Sequence, residues 1–387
     1  MAVLPTKLSK TFRTFFESER AGGIVLIVCT ALSLVAANTA FGGDYVALWH
    51  VKAGPLSIEH WVNDALMAVF FLLIGLELER ELYNGELSSA RTALLPIIAA
   101  VGGVAVPAAI HFAFNSGTPT QAGVGIPMAT DIAFSLGVLA LAGKRLPAAL
   151  KVFLVAFAVM DDLIAIVVIA IFYTSGLSVA YLVATLGVWA LLIALNKWFR
   201  VMSLVPYLIG GVAMWVLMFC SGVHATIAGV LLALAIPFSA KQDDEKSPSH
   251  RLEHSLQRPV AFLILPVFAL ANTAIALHAN WTGGLMSANS LGIALGLIFG
   301  KPIGIIAACA IAAAVGICRL PEELNWRHIA GAGMLGGIGF TMSIFITNLA
   351  FGGNASVIDS SKIAVLGASL VAGSLGFVWL RLAKGRN

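Results

Sequence analysis

The sequence predicts an all-α, polytopic membrane protein, and three observations support this prediction. Of the 387 residues, 59% are hydrophobic and 11% are charged, whereas ordinary soluble domains are about 25% charged. The mean hydropathy is +0.95. Apolar runs of about 20 residues, each long enough to cross a hydrocarbon core of about 30 Å, recur along the chain. We therefore expect residues 1–387 to form a single transmembrane domain.

Twelve of these apolar runs are predicted to be membrane-spanning helices. They cover, within a few residues, positions 22–40, 61–78, 92–114, 122–143, 150–173, 178–196, 204–219, 222–238, 259–279, 289–315, 328–350 and 361–381. A basic segment precedes the first run, as in a signal peptide. However, the run itself is long enough to span and has no clear cleavage site, so we interpret it as a retained helix.

The basic residues provide a test of this count, because cytoplasmic loops collect Lys and Arg. Of the 23 basic residues, 20 lie in alternate segments that begin with the N-terminus; only Lys52 and Lys362 lie in the opposite loops, and only Lys301 lies inside a span. Both termini are therefore predicted to be cytoplasmic. The net charge of +4 reflects this topology and gives no indication of nucleic-acid binding. The four cysteines lack metal-ligand spacing and are expected to be free thiols or small apolar residues.

Two membrane segments are rich in residues that interrupt helices. They read GVGIPMATDIAFSLG at 123–137 and IAGAGMLGGIGFTMSIFI at 329–346. Non-helical backbone at membrane depth is tolerated only where protein or a water-filled cavity satisfies its polar groups, and a pair of interrupted segments points to a transporter binding site. Close helix packing through small residues is the alternative.

Ionisable residues converge on the predicted bilayer midplane. At 1.5 Å per residue, Asp161 and Asp162 lie about 15 Å deep, and Asp131 and Lys301 lie at comparable depths in their spans. Such residues are costly in a membrane and by default mark a functional site. A salt bridge that only fixes helix packing is the alternative. Three acids and one base nevertheless leave a surplus of negative charge, whereas a purely structural pair would be neutral.

Helix geometry gives the two adjacent acids different surroundings. Consecutive helical positions point about 100° apart, so one of Asp161 and Asp162 can face a cavity while the other faces a helix that carries Lys301. With the Thr130–Asp131 pair and freed carbonyl groups, these carboxylates form an oxygen-rich set that favours an alkali or alkaline-earth ion. Competition between protons and such a cation predicts an antiporter, which is a carrier and not an enzyme. No cofactor is expected.

A second charged cluster ends the second span, in the segment GLELERELYNGE. Glu77 and Glu81 lie one helical turn apart and can pair with Arg80 or with residues of other cytoplasmic segments. The candidates there are Arg251, Glu253 and His254. Because His titrates near neutrality, the cluster is a candidate sensor of internal pH. A solvated helix end is the alternative.

Four further residues are weaker candidates for the ion path: Asp64, His224, Gly339 and Thr341. A histidine at the outer end of a span is more often structural, and His224 has that position. The outer loop near 45–58 has β-branched and aromatic residues on both sides of Ala-Gly-Pro, which predicts a short hairpin.

The chain resembles the bacterial NhaA-type sodium/proton antiporter family from about residue 15 to 383. Seven motifs carry the resemblance: WVNDALMAVFFLLIGLELERE, ATDIAFSLGVLAL, FAVMDDLIAI, SGVHATIAG, RLEH, GKPIGI and GIGFTMSIFI. It implies inverted repeats in which the fourth and eleventh spans are broken helices that cross near the midplane. Asp131 would then offset the half-helix N-termini and Lys301 the C-termini. Asp162 would be the principal Na⁺ or Li⁺ ligand, and Asp161 would exchange its salt bridge with Lys301 for ion binding.

The resemblance also implies electrogenic, pH-regulated exchange that serves pH and sodium homeostasis. The substrates would be Na⁺, Li⁺ and H⁺, the location the bacterial inner membrane, and the assembly a homodimer that pairs through the outer hairpin. Glu77, Arg80, Glu81, Glu253 and His254 match the positions associated with pH activation. Two departures fall in this cluster: Glu79 replaces a common Lys, and Gln257 replaces a His.

Other function classes fit the same residues less well. An intramembrane aspartyl protease needs two acids that face each other from separate helices, which the adjacent pair cannot provide. Asp131 with Asp162 could do so, but Lys301 and the glycine-rich eleventh span would remain unexplained. A passive channel would need a ring of charges or carbonyls. Another cation-coupled carrier stays open as an alternative.

Overall fold

The computed structural model describes residues 10–143, 146–174, 176–239, 247–277 and 281–383, and almost all regular structure in them is helical. The helices of the first half are α1 (Lys10–Ala37), α2 (Gly42–His50), α3 (Ile58–Asn84), α4 (Ala90–Asn115), the 3₁₀ helix Gln121–Met128, α5 (Ile132–Ala142), α6 (Ala148–Phe172) and α7 (Val179–Lys197). Those of the second half are α8 (Val205–Ser221), α9 (Ile227–Ala233), α10 (Pro248–Asn272), α11 (Trp281–Leu285), α12 (Ala288–Ala314), α13 (Trp326–Gly336), α14 (Phe340–Ala350) and α15 (Ala355–Leu382). Several of the basic loop residues, including Lys144, Arg145, Lys241 and Lys246, lie outside the described residues.

The length and composition of the helices establish a multi-pass membrane protein. Within the described residues, eight helices are long and apolar enough to cross a membrane, and the number rises to ten if two bent pairs each count as one span. The bent pairs are α1 with α2, at 114°, and α13 with α14, at 44°. The all-α, polytopic prediction is therefore confirmed, while the number of spans stays below the predicted twelve.

The difference in span number comes mainly from one region. The predicted seventh span corresponds to α8, which has 17 residues and ends at Gly222 in a left-handed conformation (φ 82°). The predicted eighth span contains only the seven-residue α9, because residues before and after it form turns. A left-handed glycine is a common end to a helix, since it satisfies carbonyls of the last turn without a side-chain clash.

Two short antiparallel strands follow α2 in the outer segment. Strand β1 (Lys52–Ala53) pairs with β2 (Leu56–Ser57), and Gly54 makes the turn with a φ of 76°. Residues 42–50 of the same segment are helical, so the hairpin is shorter than the predicted 45–58. Both residues of β1 are exposed.

The buried side chains form two clusters. The smaller packs α7, α8 and α9 against α3, through residues such as Leu76, Leu192 and Met214. The larger cluster buries α4, α6 and α12 together with both interrupted segments, and it includes Phe157 and Leu335. Asp161, Asp162 and Lys301 lie on helices of this larger body, and Asp131 lies in one of its interrupted segments.

Helices α4 and α12 approach each other closely at a pair of glycines. A Cβ atom on Gly102 would lie 2.3 Å from the backbone oxygen of Gly304, and one on Gly304 would lie 2.1 Å from the oxygen of Gly102. No other residue type fits without a backbone shift. Because Gly304 is three residues after Lys301, this contact sets how closely the turn of α12 that carries the lysine packs against α4.

Three helices contain a π turn: Trp61–Leu66 in α3, Val260–Ile264 in α10 and Gly296–Gly300 in α12. Proline contributes to two of them, because Pro259 immediately precedes one turn and Pro302 follows another, and neither has a backbone N–H to donate. Such turns are frequent at functional sites. The π turn of α12 ends directly before Lys301.

Candidate functional site

The two interrupted segments contact each other at their non-helical residues. Residues 129–131 separate the 3₁₀ helix from α5, and residues 337–339 separate α13 from α14. The backbone N–H of Asp131 donates to the carbonyl of Ile338 at 2.7 Å, and the Thr130 hydroxyl donates to the carbonyl of Gly336 at 2.8 Å. Each break therefore satisfies backbone groups that the other leaves open, as non-helical chain at membrane depth requires.

Asp131 lies at the N-termini of two helices. Its Oδ1 accepts from the backbone N–H of Phe134 in α5 at 2.9 Å, and its Oδ2 accepts from the N–H of Thr341 in α14 at 3.1 Å. The hydroxyl of Thr341 adds a third hydrogen bond at 2.6 Å. The positive ends of both helix dipoles thus meet one carboxylate.

Lys301 and Asp161 form an ion pair that is completely buried. The ammonium donates to Asp161 Oδ2 at 2.6 Å and to the Thr130 hydroxyl at 2.9 Å. It also lies 5.6 Å from the ring centroid of Phe157, within the range of a cation–π interaction. The carboxylate, the hydroxyl and the ring together compensate much of the cost of burying the ammonium.

Asp162 has surroundings of a different kind. It is 1% exposed, and both carboxylate oxygens lack a hydrogen-bond partner among the described residues, as does Oδ1 of Asp161. Buried polar atoms normally have partners, so such atoms require an explanation. Because carboxylate oxygens are the preferred ligands of hard cations, a cation or a proton at Asp162 would supply the missing interaction.

A cavity opens in front of Asp162. The other polar residues that line it are Glu77, Asp131 and Thr341, and the remaining lining residues are apolar. The space available to the centre of a water-sized molecule is about 30 Å³, enough for about two waters or a partly dehydrated ion. The structure therefore brings four of the sequence-predicted polar residues to one small chamber.

The charged cluster at the C-terminal end of α3 is joined to this chamber. Arg80 forms a buried ion pair with Glu253 of α10 and lies 3.5 Å from Glu81 Oε1. Glu77, which lines the cavity, also acts on Arg80 electrostatically. His254 is exposed and acts electrostatically on Glu253. The five predicted residues thus form one connected group, with His254 at its surface.

The two departures from the family pattern lie beside this group. Glu79 is buried, and its carboxylate accepts a hydrogen bond from the Ser249 hydroxyl at 3.4 Å. Gln257 is buried on the same helix as Glu253. Glu79 on α3 and Gln257 on α10 are therefore both interior positions.

The weaker candidates lie apart from the chamber, except for Thr341. Asp64 is half-buried in the π turn of α3, where its backbone oxygen accepts from the Trp215 indole at 3.2 Å. His224 lies in the turn before α9, and its Nε2 is 2.8 Å from the carbonyl oxygen of Tyr173. Gly339 immediately precedes α14, and a Cβ there would lie 2.1 Å from the Ser343 hydroxyl.

Burial shifts the pKa of both residues of the His224–Tyr173 contact, which lies outside the helices that are long enough to cross a membrane. It lowers the pKa of His224, although the hydrogen bond to Tyr173 acts in the opposite direction. It also raises the pKa of Tyr173 to about 12. The Tyr173 hydroxyl donates to the carbonyl of Ala122 at 2.7 Å and accepts from the N–H of Gly125 at 3.2 Å. This contact therefore links the turn before α9 to the 3₁₀ helix.

Sequence reasoning missed three residues that hold the site together. Ser135 and Ser343 donate hydrogen bonds across the interrupted segments, to the carbonyls of Leu335 and Ile126 respectively. Phe157 lies one helical turn before Asp161 and contributes its ring to Lys301. A hydroxyl or aromatic residue one turn from an intramembrane charge is a sequence signal, but only the packing shows which partner it meets.

Comparisons with known proteins identify the family of the chain. The sequence model of the family described as Na⁺/H⁺ antiporter 1 matches residues 13–380. A protein named Na(+)/H(+) antiporter NhaA from Dechloromonas aromatica (strain RCB) is 67% identical over 380 residues, which cover 98% of each chain. One from Flavobacterium johnsoniae, named Na(+)/H(+) antiporter NhaA 1, is 56% identical over 375 residues and 97% of each chain. One from Cytophaga hutchinsonii is 55% identical over 376 residues, 97% of this chain and 96% of the other. The resemblance predicted from the motifs is thereby confirmed, and the chain belongs to the Na⁺/H⁺ antiporter 1 family.

Proposed function

We propose that this protein is a secondary active antiporter that exports Na⁺ or Li⁺ in exchange for protons. The observation that carries the proposal is the buried Asp162 carboxylate, whose two oxygens face a small polar cavity without a hydrogen-bond partner among the described residues. Its relatives are named as Na⁺/H⁺ antiporters and match nearly the whole chain.

The exchange follows from competition at two adjacent carboxylates. In the proton-loaded state, Asp162 is protonated and Asp161 is held by Lys301. When Na⁺ enters the cavity, Asp162 releases its proton to coordinate the ion, and Asp161 leaves Lys301 to provide further oxygens. Lys301 then loses its counter-ion, so it can release a proton as well. Two protons per Na⁺ would make the exchange electrogenic.

Alternating access requires the cavity to open to one side at a time. We propose that the chain has twelve spans, in inverted repeats, and that the segments 121–142 and 326–350 are broken helices that cross at the bilayer midplane. Their mutual hydrogen bonds at Asp131 and Thr130 support this arrangement. We also propose the bacterial inner membrane, cytoplasmic termini and a homodimer in which the exposed strand β1 pairs with that of a second copy.

The decisive experiment uses inverted membrane vesicles that hold a pH gradient. Addition of Na⁺ or Li⁺ should collapse the gradient in vesicles with the wild-type protein and leave it intact with Asp162→Asn. Glu322→Gln, the same kind of change at an exposed carboxylate outside the cavity, is the matched control and should behave as wild type. Vesicles with the wild-type protein that ignore both ions at every pH would contradict the proposal.

We further propose that the Arg80–Glu253 group regulates exchange by pH. Glu77 belongs both to this group and to the wall of the cavity, so a change of protonation at the cytoplasmic end acts directly on the chamber. Arg80→Gln should move the midpoint of the activity–pH profile by more than about half a pH unit, which corresponds to about 0.7 kcal/mol. Arg251→Gln, at an exposed position of the same interface, should leave the profile unchanged. Equal profiles for both variants would argue against this regulation.

A further inference from the structure

Three asparagines from three helices form a hydrogen-bonded chain beyond the cavity. Asn272 of α10 donates from Nδ2 to Asn63 Oδ1 of α3 at 2.7 Å, and Asn348 of α14 donates from Nδ2 to Asn272 Oδ1 at 2.6 Å. Side chain to side chain hydrogen bonds are the least common class in proteins. A chain of two such bonds across three helices is therefore a feature that needs a reason.

The spacing of these residues relates them to the ion site. Each asparagine lies seven residues along its own helix from a residue that lines the cavity: Phe70, Leu265 and Thr341. Seven residues are nearly two full turns, so both positions share one helix face and are separated by about 10 Å. The three amides therefore lie above the cavity, on the side where Ser57 ends the hairpin six residues before Asn63.

Burial shows that the amides lie at a boundary. Asn272 is buried, whereas Asn63 and Asn348 are half-buried. The chain of amides thus lies between the chamber and the surface on the hairpin side. An ion that leaves the cavity between α3, α10 and α14 has to pass it.

A cation already touches this cluster in the structure. The ammonium of Lys362 lies 3.5 Å from Asn272 Oδ1, and the residue is 5% exposed. Lys362 is predicted from the sequence to lie in an outer loop, but it lies within α15, because that helix begins earlier, at Ala355. Glu59 and Asp359 act on its charge. The amide oxygen of Asn272 therefore accepts a positively charged group at a buried position.

We propose that Asn63, Asn272 and Asn348 form a second, transient cation site on the outward path of Na⁺, here called the asparagine gate. The inference rests on the proposed exchange of Na⁺. In the present structure the amides bond to each other and close the path. A passing ion replaces these hydrogen bonds by contacts to the amide oxygens, as carbonyl oxygens do in ion-selective pores. Lys362 keeps the site weak through its positive charge, and a weak site releases the ion quickly.

The test measures transport and binding separately. Asn272→Leu and Asn348→Leu keep the branched shape of the side chain and replace the amide oxygen and nitrogen by methyl groups. In proteoliposomes that hold a pH gradient, each should reduce Na⁺ exchange by at least about tenfold. Proton release on Na⁺ addition to the purified protein reports binding at Asp162 and should keep its midpoint within about twofold.

Two further variants separate a gate from a structural role. Asn196→Leu removes a half-buried asparagine of α7 whose amide bonds the carbonyl of Ala235, and it should exchange Na⁺ as the wild type does. Asn348→Ser retains an oxygen and should recover at least about a third of the wild-type rate. Three results would overturn the asparagine gate. The first is wild-type exchange in both leucine variants, and the second is a loss of Na⁺-induced proton release together with exchange. The third is a serine variant as slow as the leucine variant. A wild-type protein that exchanges no Na⁺ would instead refute the proposed function.

Discussion

Asp161 and Asp162 follow one another in α6, but among the described residues only Asp161 forms an ion pair with a cation. Lys301 Nζ lies 2.6 Å from Asp161 Oδ2, whereas both oxygens of Asp162 are buried without a hydrogen-bond partner in the described part of the chain. The pair therefore combines a carboxylate that has a counter-ion with one that has no partner, and the two have different consequences for stability.

Replacement of the two acids should separate these consequences. Asp161→Asn leaves the buried Lys301 ammonium without its counter-ion and should lower the free energy of unfolding by about 3–5 kcal/mol at neutral pH. Asp162→Asn removes a carboxylate that has no partner, so it should leave stability unchanged or raise it. Thermal unfolding of the purified protein in detergent at pH 7 measures both. Equal losses in the two variants would contradict the assignment.

Asp131 should be a structural residue as well as a wall of the cavity. Asp131→Ala leaves three donors, the N–H of Phe134 and the N–H and hydroxyl of Thr341, without an acceptor. Because each unsatisfied buried group costs about 1–3 kcal/mol, the free energy of unfolding should fall by at least about 2 kcal/mol. Asp162→Ala is the matched control, since Asp162 accepts no hydrogen bond in the described residues. The same melting experiment compares them, and a similar stability for both variants would refute the capping role.

Gly337 should tolerate no side chain. A Cβ at this position would lie 2.4 Å from the backbone oxygen of Leu297 in α12, so Gly337→Ala has to push the interrupted segment away from the helix that carries Lys301. We expect a loss of at least about 1 kcal/mol of stability. Gly367→Ala is the control, because no atom lies within 4 Å of its Cβ position, and it should be neutral or stabilising by about 0.5–1 kcal/mol. The order of the two melting temperatures checks the prediction, and a reversed order would exclude the close approach.

His224 should make stability depend on pH below neutrality. Because burial lowers its pKa in the folded protein, the unfolded chain binds the proton more readily, and stability rises with pH across this range. The contribution is complete above the unfolded pKa of about 6.5 and decreases as the pH falls below it. His224→Gln should therefore show a smaller loss of stability between pH 7 and pH 5 than the wild type. Parallel stability curves for the two proteins would contradict this.

Composition, charge and motifs were sufficient for much of this protein. The apolar runs determined an all-α membrane protein, and the motifs around Asp131, Asp162 and Lys301 determined its family. These features are readable because each expresses a local cost: an apolar helix in water, or a charge in lipid, is unfavourable unless the fold compensates for it. The depth of each acid also follows from counting residues along a helix.

Tertiary structure decided the helix ends and the contacts between helices, which do not follow from local sequence pattern. From the sequence, the region of α8 and α9 was predicted to form two full spans, whereas the two helices have 17 and seven residues. The prediction and the structure differ because apolar composition persists through the turn at Gly222 and the residues after it. Sequence alone gave no reason to join Asn63, Asn272 and Asn348, which lie more than 70 residues apart in the chain. Hydrogen bonds and ion pairs between helices depend on which faces meet, and that is determined by packing contacts such as Gly102 with Gly304. The residue types at the site were therefore visible in the sequence, while their partners were decided by the packing of the helices.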